Sequence, residues 1–474
     1  MRRHIRQLVL IFICIPIFVF GAQPGDLAKS LKERTVLTLD DFINLATKNP
    51  FFEEILISQL ELQYSKVLAI PAQDWTLSVK GEYGLVGIQG DGTTRGTTAH
   101  EFNGALALSK LFAQSGTTIK SGFGATSWGN QPRASFYFNL AQPIAQNAFG
   151  RNTRRTIQLV ALQNEVAQTQ ILEAYEDYLA SLIVLYYNWY SNYSRVLSAF
   201  ASYNTSEQLL NEMRQKFRYR IADQLDINKS ELQLLSSNQS LLNQENSYLQ
   251  QENEIFLAAG LSSDQKYRPE LKDYIDFDSL DFSTLEKTFF SESRTVTTLE
   301  ILKSQKALQR EITADSLLPS ASLYANYNVG GKGYAFEEGD VKHNLQIGMT
   351  LDYAILSEKV LANVAKADID IQKQGLSASN KILKLQLELK NFIENLKRAK
   401  EVLDIQTRMF DLAKSIAEAE QRDYNLGSSD LNFLINALNS QANYENQLIN
   451  SKVQLNTLIV EFLRLTDSLV VKLP

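Results

Sequence analysis

Residues 152 to 216 contain neither proline nor glycine, and this unbroken stretch constrains the fold more than any other feature of the 474-residue chain. It predicts one helix, which at 1.5 Å per residue would be about 100 Å long. Residues 357 to 422 predict a second helix of similar length. Helices of ordinary globular domains are far shorter, so the chain is expected to be built around two exceptional helices.

The apolar residues of both segments step alternately by three and four positions, as in the seam of a coiled coil. The two patterns are offset by 210 residues throughout, which predicts an internal repeat. The first seam consists of Leu172, Tyr175, Leu179, Leu182, Tyr186, Trp189, Tyr193, Val196, Phe200 and Tyr203, and the second of Ile382, Leu385, Leu389, Phe392, Leu396, Ala399, Leu403, Phe410, Ala413 and Ala417. The polar Gln406 fills the one remaining place of the second seam, between Leu403 and Phe410.

Each long helix is expected to end in a turn and a shorter return helix, at about 225 to 258 and 431 to 465. Asp223 in the first turn, and Ser428, Ser429 and Asp430 in the second, are residue types that cap the first turn of a helix. Gly427 can adopt the left-handed conformation that ends a helix. Shorter helices, at 51 to 69 and about 291 to 317, are expected to stack end to end with the return helices.

Six short stretches alternate apolar and polar residues with a period of two, which predicts six strands. They are WTLSVKGEYGL (75–85), FNGALALS (102–109), TTIKSGFGAT (117–126), SFYFNL (135–140), SLYANYNV (322–329) and NLQIGMTLDY (344–353).

These strands fit either a soluble sandwich or a transmembrane β-barrel. A barrel is favoured because the strands are about ten residues long, rich in aromatic residues, and carry Lys80, Glu82 and Asp352 on their polar faces. A short turn at 113–116 contrasts with long loops at 87–98 and 330–340, which is the outer-membrane pattern. Six strands cannot close a barrel, and lipid does not tolerate open edges. Several chains are therefore expected to share one barrel.

The N-terminus combines Arg2, Arg3 and Arg6 with an apolar run and the small pair Gly21-Ala22. This pattern predicts a secretory signal peptide cleaved after Gly21 or Ala22. A membrane anchor is the alternative, but the run is shorter than the roughly 20 residues that span a bilayer. The only cysteine, Cys14, lies inside this segment, so a cysteine metal site in the mature chain is excluded. Without the three arginines, 44 basic and 53 acidic residues remain. The sequence has no stripe of basic residues, so nucleic-acid binding is not expected.

Catalytic chemistry has little support in the sequence. Outside the signal segment the histidines are His100 and His343, both beside predicted extracellular loops, where solvated side chains are expected. The GGKG at 330–333 lacks the context of a phosphate-binding loop. Methionines at 213, 349 and 409 are too few for a copper or silver route. No enzyme activity, cofactor or metal is therefore expected.

Several segments resemble the outer-membrane efflux protein (TolC) family of channel-tunnels, and the resemblance covers essentially the whole mature chain. LTLDDFINLATKNP (37–50) resembles the opening helix of the family, and AQPIAQNAFGR (141–151) its strand-exit segment. The tips FRYRIADQLDINKSEL (217–232) and YNLGSSDLNFLINAL (424–438) resemble its aromatic–x–x–Gly turns.

The resemblance implies an α+β membrane protein, in which a shared trimeric β-barrel in the outer membrane continues into a long periplasmic α-helical coiled-coil barrel. The implied partners are two further copies, outer-membrane lipid, a periplasmic adaptor (membrane fusion) protein and an inner-membrane pump of RND or ABC type. The expected function is the passive exit duct of a tripartite efflux or type I secretion system. A structural coiled-coil scaffold of the envelope is the alternative.

The expected organisation is a signal peptide at 1–22, a first repeat at 23–262, an inter-repeat linker in the equatorial region at 263–290, a second repeat at 291–466 and a tail at 467–474. The first repeat is longer because it holds the additional strands at 102–109 and 117–126. Family trimers usually pool four strands per chain, whereas six per chain predict eighteen. The alternative is that the additional pair forms a hairpin outside the barrel wall.

The resemblance also implies site residues. Asp226, Asp430, Asn432 and Asn436 are candidates for a periplasmic gate; a ring of Asp side chains would attract cations and respond to pH. The alternative is that Asp226 and Asp430 only cap helices. Phe217, Arg220, Tyr424 and Gly427 are candidates for adaptor docking, Arg220 standing where the family has a turn glycine and the second turn being one residue shorter. Pro143 and Gly150 are expected at the junction of barrel and tunnel.

Overall fold

The structure is a computed structural model and describes residues 24–71, 73–88, 97–128, 131–262, 264–273, 277–333, 341–355 and 357–470. The predicted signal peptide and most of the two predicted long loops lie outside the described residues. Within the described part of the chain, no helix combines the length and apolarity that crossing a membrane requires.

Nine helices occur among the described residues. They are α1 (Asp26–Glu33), α2 (Leu39–Ala46), α3 (Pro50–Ala69), α4 (Arg151–Arg218), α5 (Gln224–Ala259), α6 (Phe282–Glu292), α7 (Arg294–Asp315), α8 (Glu358–Leu426) and α9 (Leu431–Leu465). Helices α4 and α8 contain 68 and 69 residues, which confirms the two predicted long helices. The predicted return helices are α5 and α9, and the predicted short helices are α3 and α7.

The described strands are β1 (Thr35–Leu37), β2 (Thr76–Ile88), β3 (Thr97–Phe112), β4 (Thr117–Trp128), β5 (Gln131–Pro143), β6 (Tyr267–Pro269), β7 (Ser320–Lys332) and β8 (Lys342–Asp352). All six predicted strands form, and the segment predicted as a linker contains β6 and most of α6.

The chain divides into two compact units. The first comprises Met1–Asn49, Ser181–Phe277 and Asn395–Val460, and the second comprises Pro50–Ala180, Asp278–Glu394 and Glu461–Pro474. Both long helices contribute residues to both units.

The core of the first unit lies around an aromatic cluster on α4. Tyr186, Tyr187 and Trp189 are fully buried, and the ring of Phe42 lies 5.8 Å from that of Tyr186. The Tyr186 hydroxyl donates to the carbonyl of Leu37 at 2.7 Å, and burial raises its pKa to about 12. The predicted seam of α4 is therefore a true core, since it buries its largest aromatic residues.

The second unit contains one six-stranded antiparallel sheet in the order β2-β3-β4-β5-β7-β8. The predicted extra pair, β3 and β4, lies inside this sheet and does not form a separate hairpin. Backbone pairing of β3 with β2, of β3 with β4 and of β4 with β5 holds the two strands inside the sheet.

Four helices of the second unit lie side by side in the order α3, α4, α7, α8. The rings of Phe52 on α3 and Tyr175 on α4 are 5.0 Å apart. An ion pair of 2.7 Å joins Arg155 on α4 to Glu311 on α7, and one of 2.8 Å joins Arg310 on α7 to Asp368 on α8. The second unit is thus a layer of helices and a sheet whose outermost members are α3 and β2 at one edge and α8 and β8 at the other.

Candidate functional site

The register of the sheet places most of its large apolar residues on one face, with Leu111 and Trp128 among the exceptions. Directly opposed residues share a face, so one row runs from Val79 through Leu106, Phe123 and Phe136 to Val329. This apolar face is exposed at both edges of the sheet, with Val79 73% and Ile347 77% accessible. Such an extended exposed apolar face requires a cover.

The opposite face is polar and carries two glycine–tyrosine pairs. Gly122 is opposed by Tyr137 and Gly348 by Tyr324. A Cβ on Gly122 would lie 2.5 Å from the Tyr137 ring, and one on Gly348 would lie 2.4 Å from the Tyr324 hydroxyl, so each ring lies across its glycine. Aromatic cover of a glycine fixes strand register. Lys80 and Glu82 form an ion pair of 2.5 Å on the same polar face.

The two histidines outside the predicted signal segment lie within strands on the apolar face. His100 Nδ1 is 2.6 Å from the Tyr83 hydroxyl, and His343 Nδ1 is 2.8 Å from the Tyr327 hydroxyl. Both histidines are exposed. The prediction of solvated side chains beside loops thus missed a specific tyrosine partner for each, which neighbouring strands supply.

The junction between β5 and α4 is a turn in which a proline is followed by three residues with left-handed backbone conformations. Pro143 ends β5, and Asn147, Phe149 and Gly150 have φ of 54°, 47° and 76°. A Cβ on Gly150 would lie 2.5 Å from the backbone nitrogen of Gly116 in the β3–β4 turn. Gly150 therefore satisfies both a left-handed backbone and a close approach of two turns.

Asp315, at the end of α7, anchors this junction. Its side chain is fully buried and accepts the Asn147 backbone N–H at 2.6 Å and the Asn152 side-chain amide at 2.7 Å. It also pairs with the guanidinium of Arg151. Asn147 in turn accepts the N–H groups of Asn152 and Thr153 at 2.8 and 3.1 Å, which caps the first turn of α4. The sequence interpretation identified Pro143 and Gly150 but missed Asn147 and Asp315.

A second polar cluster in the second unit centres on Arg294. Its guanidinium pairs with Glu173 at 2.9 Å, with Asp467 at 3.1 Å and with the fully buried Glu176. Glu176 also accepts the backbone N–H groups of Leu469 and Val470, at 3.0 and 3.1 Å. Burial raises the pKa of Glu173, and the neighbouring Asp467 adds to the effect. The cluster holds the end of the described chain against α4.

In the first unit, the two helix-connecting turns have the same backbone. In the α4–α5 turn, Arg220 has φ of 61° and the N–H of Ile221 donates to Lys216 at 2.9 Å. In the α8–α9 turn, Gly427 has φ of 76° and the N–H of Ser428 donates to Asp423 at 2.9 Å. Both are Schellman motifs.

The predicted difference in turn length is confined to the end of the first long helix. The intervening residues are 219–223 in one turn and 427–430 in the other. The left-handed residue nevertheless precedes the capping aspartate, Asp223 or Asp430, by three positions in both. Arg220 therefore occupies the glycine position of its turn, at a conformational cost of about 1–2 kcal/mol for a residue with a Cβ.

The carboxylates predicted for a gate bind helix N-termini. Asp223 and Asp226 form a capping box, in which the Asp223 side chain accepts the Asp226 N–H at 2.9 Å and Asp226 accepts in return at 3.3 Å. Asp430 accepts the N–H of Asn432 at 2.7 Å. The capping role of Asp226 and Asp430 is therefore present.

Asn432 and Asn436 lie one turn apart on an exposed face of α9. The exposed Phe433, 62% accessible, lies between them and escaped the sequence interpretation. An aromatic side chain in the first turn of a return helix, on a polar face, is the signal that could have identified it.

A small apolar core joins the ends of the helices beneath the two turns. Leu209, Met213, Leu431 and Leu434 are buried there, with Tyr424 packed against them. The Tyr424 hydroxyl donates to the Met213 sulfur at 2.9 Å, and Lys216 Nζ lies 3.9 Å from the Tyr424 ring centroid, a cation–π contact. Burial raises the pKa of Tyr424 to about 12.

The docking candidates therefore differ in accessibility. Tyr424 belongs to the apolar core beneath the turns, whereas Phe217, Arg220 and Gly427 are exposed. Exposed apolar neighbours that the sequence interpretation did not single out enlarge the available surface: Tyr219, Ile221, Leu225 and Leu426.

No protein-family model and no curated protein matches the chain. Solved structures do match. The outer-membrane channel OprN matches at a TM-score of 0.68 and 13% identity, covering 91% of this chain and 90% of that one. The Campylobacter jejuni outer-membrane channel CmeC matches at 0.69 and 14%, covering 91% and 85%. The Vibrio cholerae outer-membrane protein VceC matches at 0.68 and 12%, covering 90% and 95%. The predicted resemblance to channel-tunnels is thus confirmed for the fold.

Proposed function

We propose that this protein is a passive outer-membrane exit duct for efflux or type I secretion. The observation that carries the proposal is the six-stranded sheet with one continuous apolar face and one polar face. An apolar outer surface and a wet, polar inner surface are what a transmembrane barrel requires. The likeness of the whole fold to outer-membrane channels supports the same conclusion.

The working form is a homotrimer. The sheet of one chain has free edges at β2 and β8, and free edges are not tolerated in lipid. Three copies would combine eighteen strands, a number at which a barrel encloses an aqueous channel. The two similar series of strand, long helix and return helix in each chain support an origin by internal repeat.

The chain resides in the outer membrane, with its long helices in the periplasm, and it needs partners. A conduit has no energy source of its own, so an inner-membrane pump of RND or ABC type and a periplasmic adaptor complete the route. The adaptor binds around the exposed residues Phe217, Arg220 and Gly427. Asp226, Asp430, Asn432 and Asn436 restrict passage at the same end.

Fractionation and conductance test this function. The expected result is a detergent-resistant trimer in outer-membrane fractions that conducts ions in a planar lipid bilayer. A soluble periplasmic monomer, or a membrane-bound trimer that never conducts, would overturn the proposal. The former outcome would instead favour a coiled-coil scaffold of the envelope.

A further inference from the structure

The second unit ends in two exposed edges that lie on opposite sides. One edge consists of α3 and β2, and the other of α8 and β8, because the helices and the strands follow the same lateral order. Different surfaces on opposite sides of one molecule support head-to-tail contacts, which close into a ring when the rotation permits.

Apolar residues at coiled-coil spacing are exposed on the helix of each edge. On α3 they step by three, four and three, and on α8 by seven, seven and four. Leu68 on α3 and Leu376 on α8 are 85% and 69% accessible. Such stripes normally pack against another helix. The members are Ile57, Leu60, Tyr64 and Val67 on α3, and Ile369, Leu376, Leu383 and Leu387 on α8.

Chain direction makes the two edges compatible. Strand β2 leaves the end of α3, whereas β8 leads towards the start of α8. If the helical layers of two copies lie side by side, β2 and β8 run antiparallel. Leu68 lies eight residues before Thr76, and Leu361 lies nine residues after Asp352, so exposed leucines meet at similar distances from the sheet.

The two-faced sheet restricts the register between copies. Val79 and Met349 lie on the apolar face, and Lys80 and Gly348 on the polar face. A shift by one residue would turn every side chain of one strand to the wrong face. Only registers in which the two opposed residue numbers have an even sum keep the apolar face continuous.

Strand tilt restricts the register further. Following directly opposed residues across the sheet from Thr76 leads to Gln346, six residues before the end of β8. With Asp352 opposite Thr76 of the next copy, each copy adds a shear of six residues over six strands, which gives a tilt of about 35°. The row consists of Thr76, Ser109, Lys120, Asn139, Asn326 and Gln346.

Other even registers fit less well. If Asp352 lay opposite Asp74 instead of Thr76, the strand tilt would fall to about 25°. If it lay opposite Lys80, the tilt would rise to about 50°. Barrels in outer membranes have tilts of about 35–45°. If Asp352 lay opposite Ser78, the strand tilt would be about 43°, but the ends of β2 and β8 would not be aligned. The aligned register also pairs Ser78 with Thr350, a favourable hydroxyl pair.

We infer that the β8–α8 edge of one copy binds the β2–α3 edge of the next, with Asp352 opposite Thr76 and Val79 opposite Met349. The inference rests on the proposed trimeric duct and specifies how its eighteen strands close. It assigns β3 and β4 to the wall of every copy, and it places the exposed stripes of α3 and α8 against each other.

Disulfide trapping in outer membranes tests this register. The chain has one cysteine, Cys14, which is replaced by Ser in all variants. Val79→Cys with Met349→Cys should give covalent trimers on mild oxidation. Ser78→Cys with Thr350→Cys samples the adjacent rung, because neighbouring rungs alternate between close and wide Cα spacing. At least one of the two pairs should trap most of the protein.

Matched pairs test neighbouring registers. Val79→Cys with Leu351→Cys, or with Ile347→Cys, shifts the register by two residues in either direction, and each should trap only a minor fraction. Efficient trapping only in a shifted pair would overturn the register. If the reduced variants remain trimers but no pair traps, the inferred register is wrong and the proposed duct stands. If the unmodified protein is a monomer, the proposed function fails with it.

Discussion

The buried carboxylate of Asp315 accepts the backbone N–H of Asn147 at 2.6 Å and so ties the end of α7 to the turn where β5 becomes α4. The two residues are 168 positions apart in the chain. This contact makes a local turn depend on a distant helix.

Replacing Asp315 with Ala should lower the free energy of unfolding by about 2–4 kcal/mol, because several donors lose a buried acceptor. Asp315→Asn keeps an acceptor and should lose about half as much. Chemical denaturation in detergent measures both. Asp404→Ala, at an exposed carboxylate paired with Lys400 on α8, is the control and should change stability by less than about 0.5 kcal/mol. Equal effects at 315 and 404 would contradict the anchoring role.

Introducing glycine into the α4–α5 turn and removing it from the α8–α9 turn should change stability in opposite directions. Arg220→Gly should raise stability by about 1 kcal/mol, because it relieves a left-handed conformation, and Gly427→Ala should lower it by a similar amount. A Cβ at Gly427 would meet no atom within 4 Å, so any loss comes from the backbone. Thermal melting of the two variants measures the pair. Equal signs would refute the shared turn geometry.

Arg294 should be among the least replaceable residues of the second unit. Arg294→Met leaves Glu176 buried without its cation, and breaking a buried pair in this way costs about 3–5 kcal/mol. Limited proteolysis should then release residues 467–470 first, because Glu176 and Arg294 hold them. Arg464→Met, at an exposed pair with Asp177, is the matched control and should leave the proteolytic pattern unchanged.

The same cluster predicts a pH effect at Glu173. Its pKa is raised above the ordinary 4.5 by burial, so its contribution to stability is complete below about pH 4.5 and is lost as pH rises through the folded value. Glu173→Gln removes this loss. The stability of the variant relative to the natural protein should therefore increase as pH rises from about 4 to 7. A constant difference across that range would show that burial does not dominate at this site.

The two faces of β2 should respond differently to charge. Val79→Lys places a cation on the apolar face, where contact with lipid costs up to about 2–4 kcal/mol depending on depth, whereas Ser78→Lys places it on the polar face. The yield of trimer in outer membranes should fall for Val79→Lys and stay close to that of the natural protein for Ser78→Lys. Equal yields would mean that the apolar face does not meet lipid.

Charge at the tips can be separated from helix capping. Asp226→Asn with Asp430→Asn keeps good capping residues and removes two carboxylates per chain. The double variant should conduct cations with weaker block by multivalent cations than the natural channel. Single-channel recording measures the block, and circular dichroism checks that the helices persist. Unchanged block would confine the two carboxylates to capping.

Periodic features were predictable from the sequence, because the spacing of apolar residues depends only on the helix or strand that contains them. The spacing of Tyr186 and Trp189 gave the long helix and its buried seam, and alternation around Leu345 gave a strand. The Asn147–Asp315 contact was not predictable, since neither residue has a pattern that identifies a partner in another element. The exposed Phe433 was missed although its sequence context, an aromatic residue on the polar face of a return helix, could have identified it. The place of β3 and β4 in the sheet depended on pairing, which alternation alone leaves undecided.

The number of strands in the sheet also determines how much of the circumference of the proposed barrel each copy would contribute. With strands about 4.8 Å apart and tilted by about 35°, six strands span about 35 Å of circumference per copy. The four helices α3, α4, α7 and α8, at about 8–10 Å between axes, span about 32–40 Å. Four strands would span only about 23 Å. In the proposed trimer, the hairpin of β3 and β4 would make the circumference of the sheet equal to that of the helical layer, so the channel would not narrow where strands give way to helices.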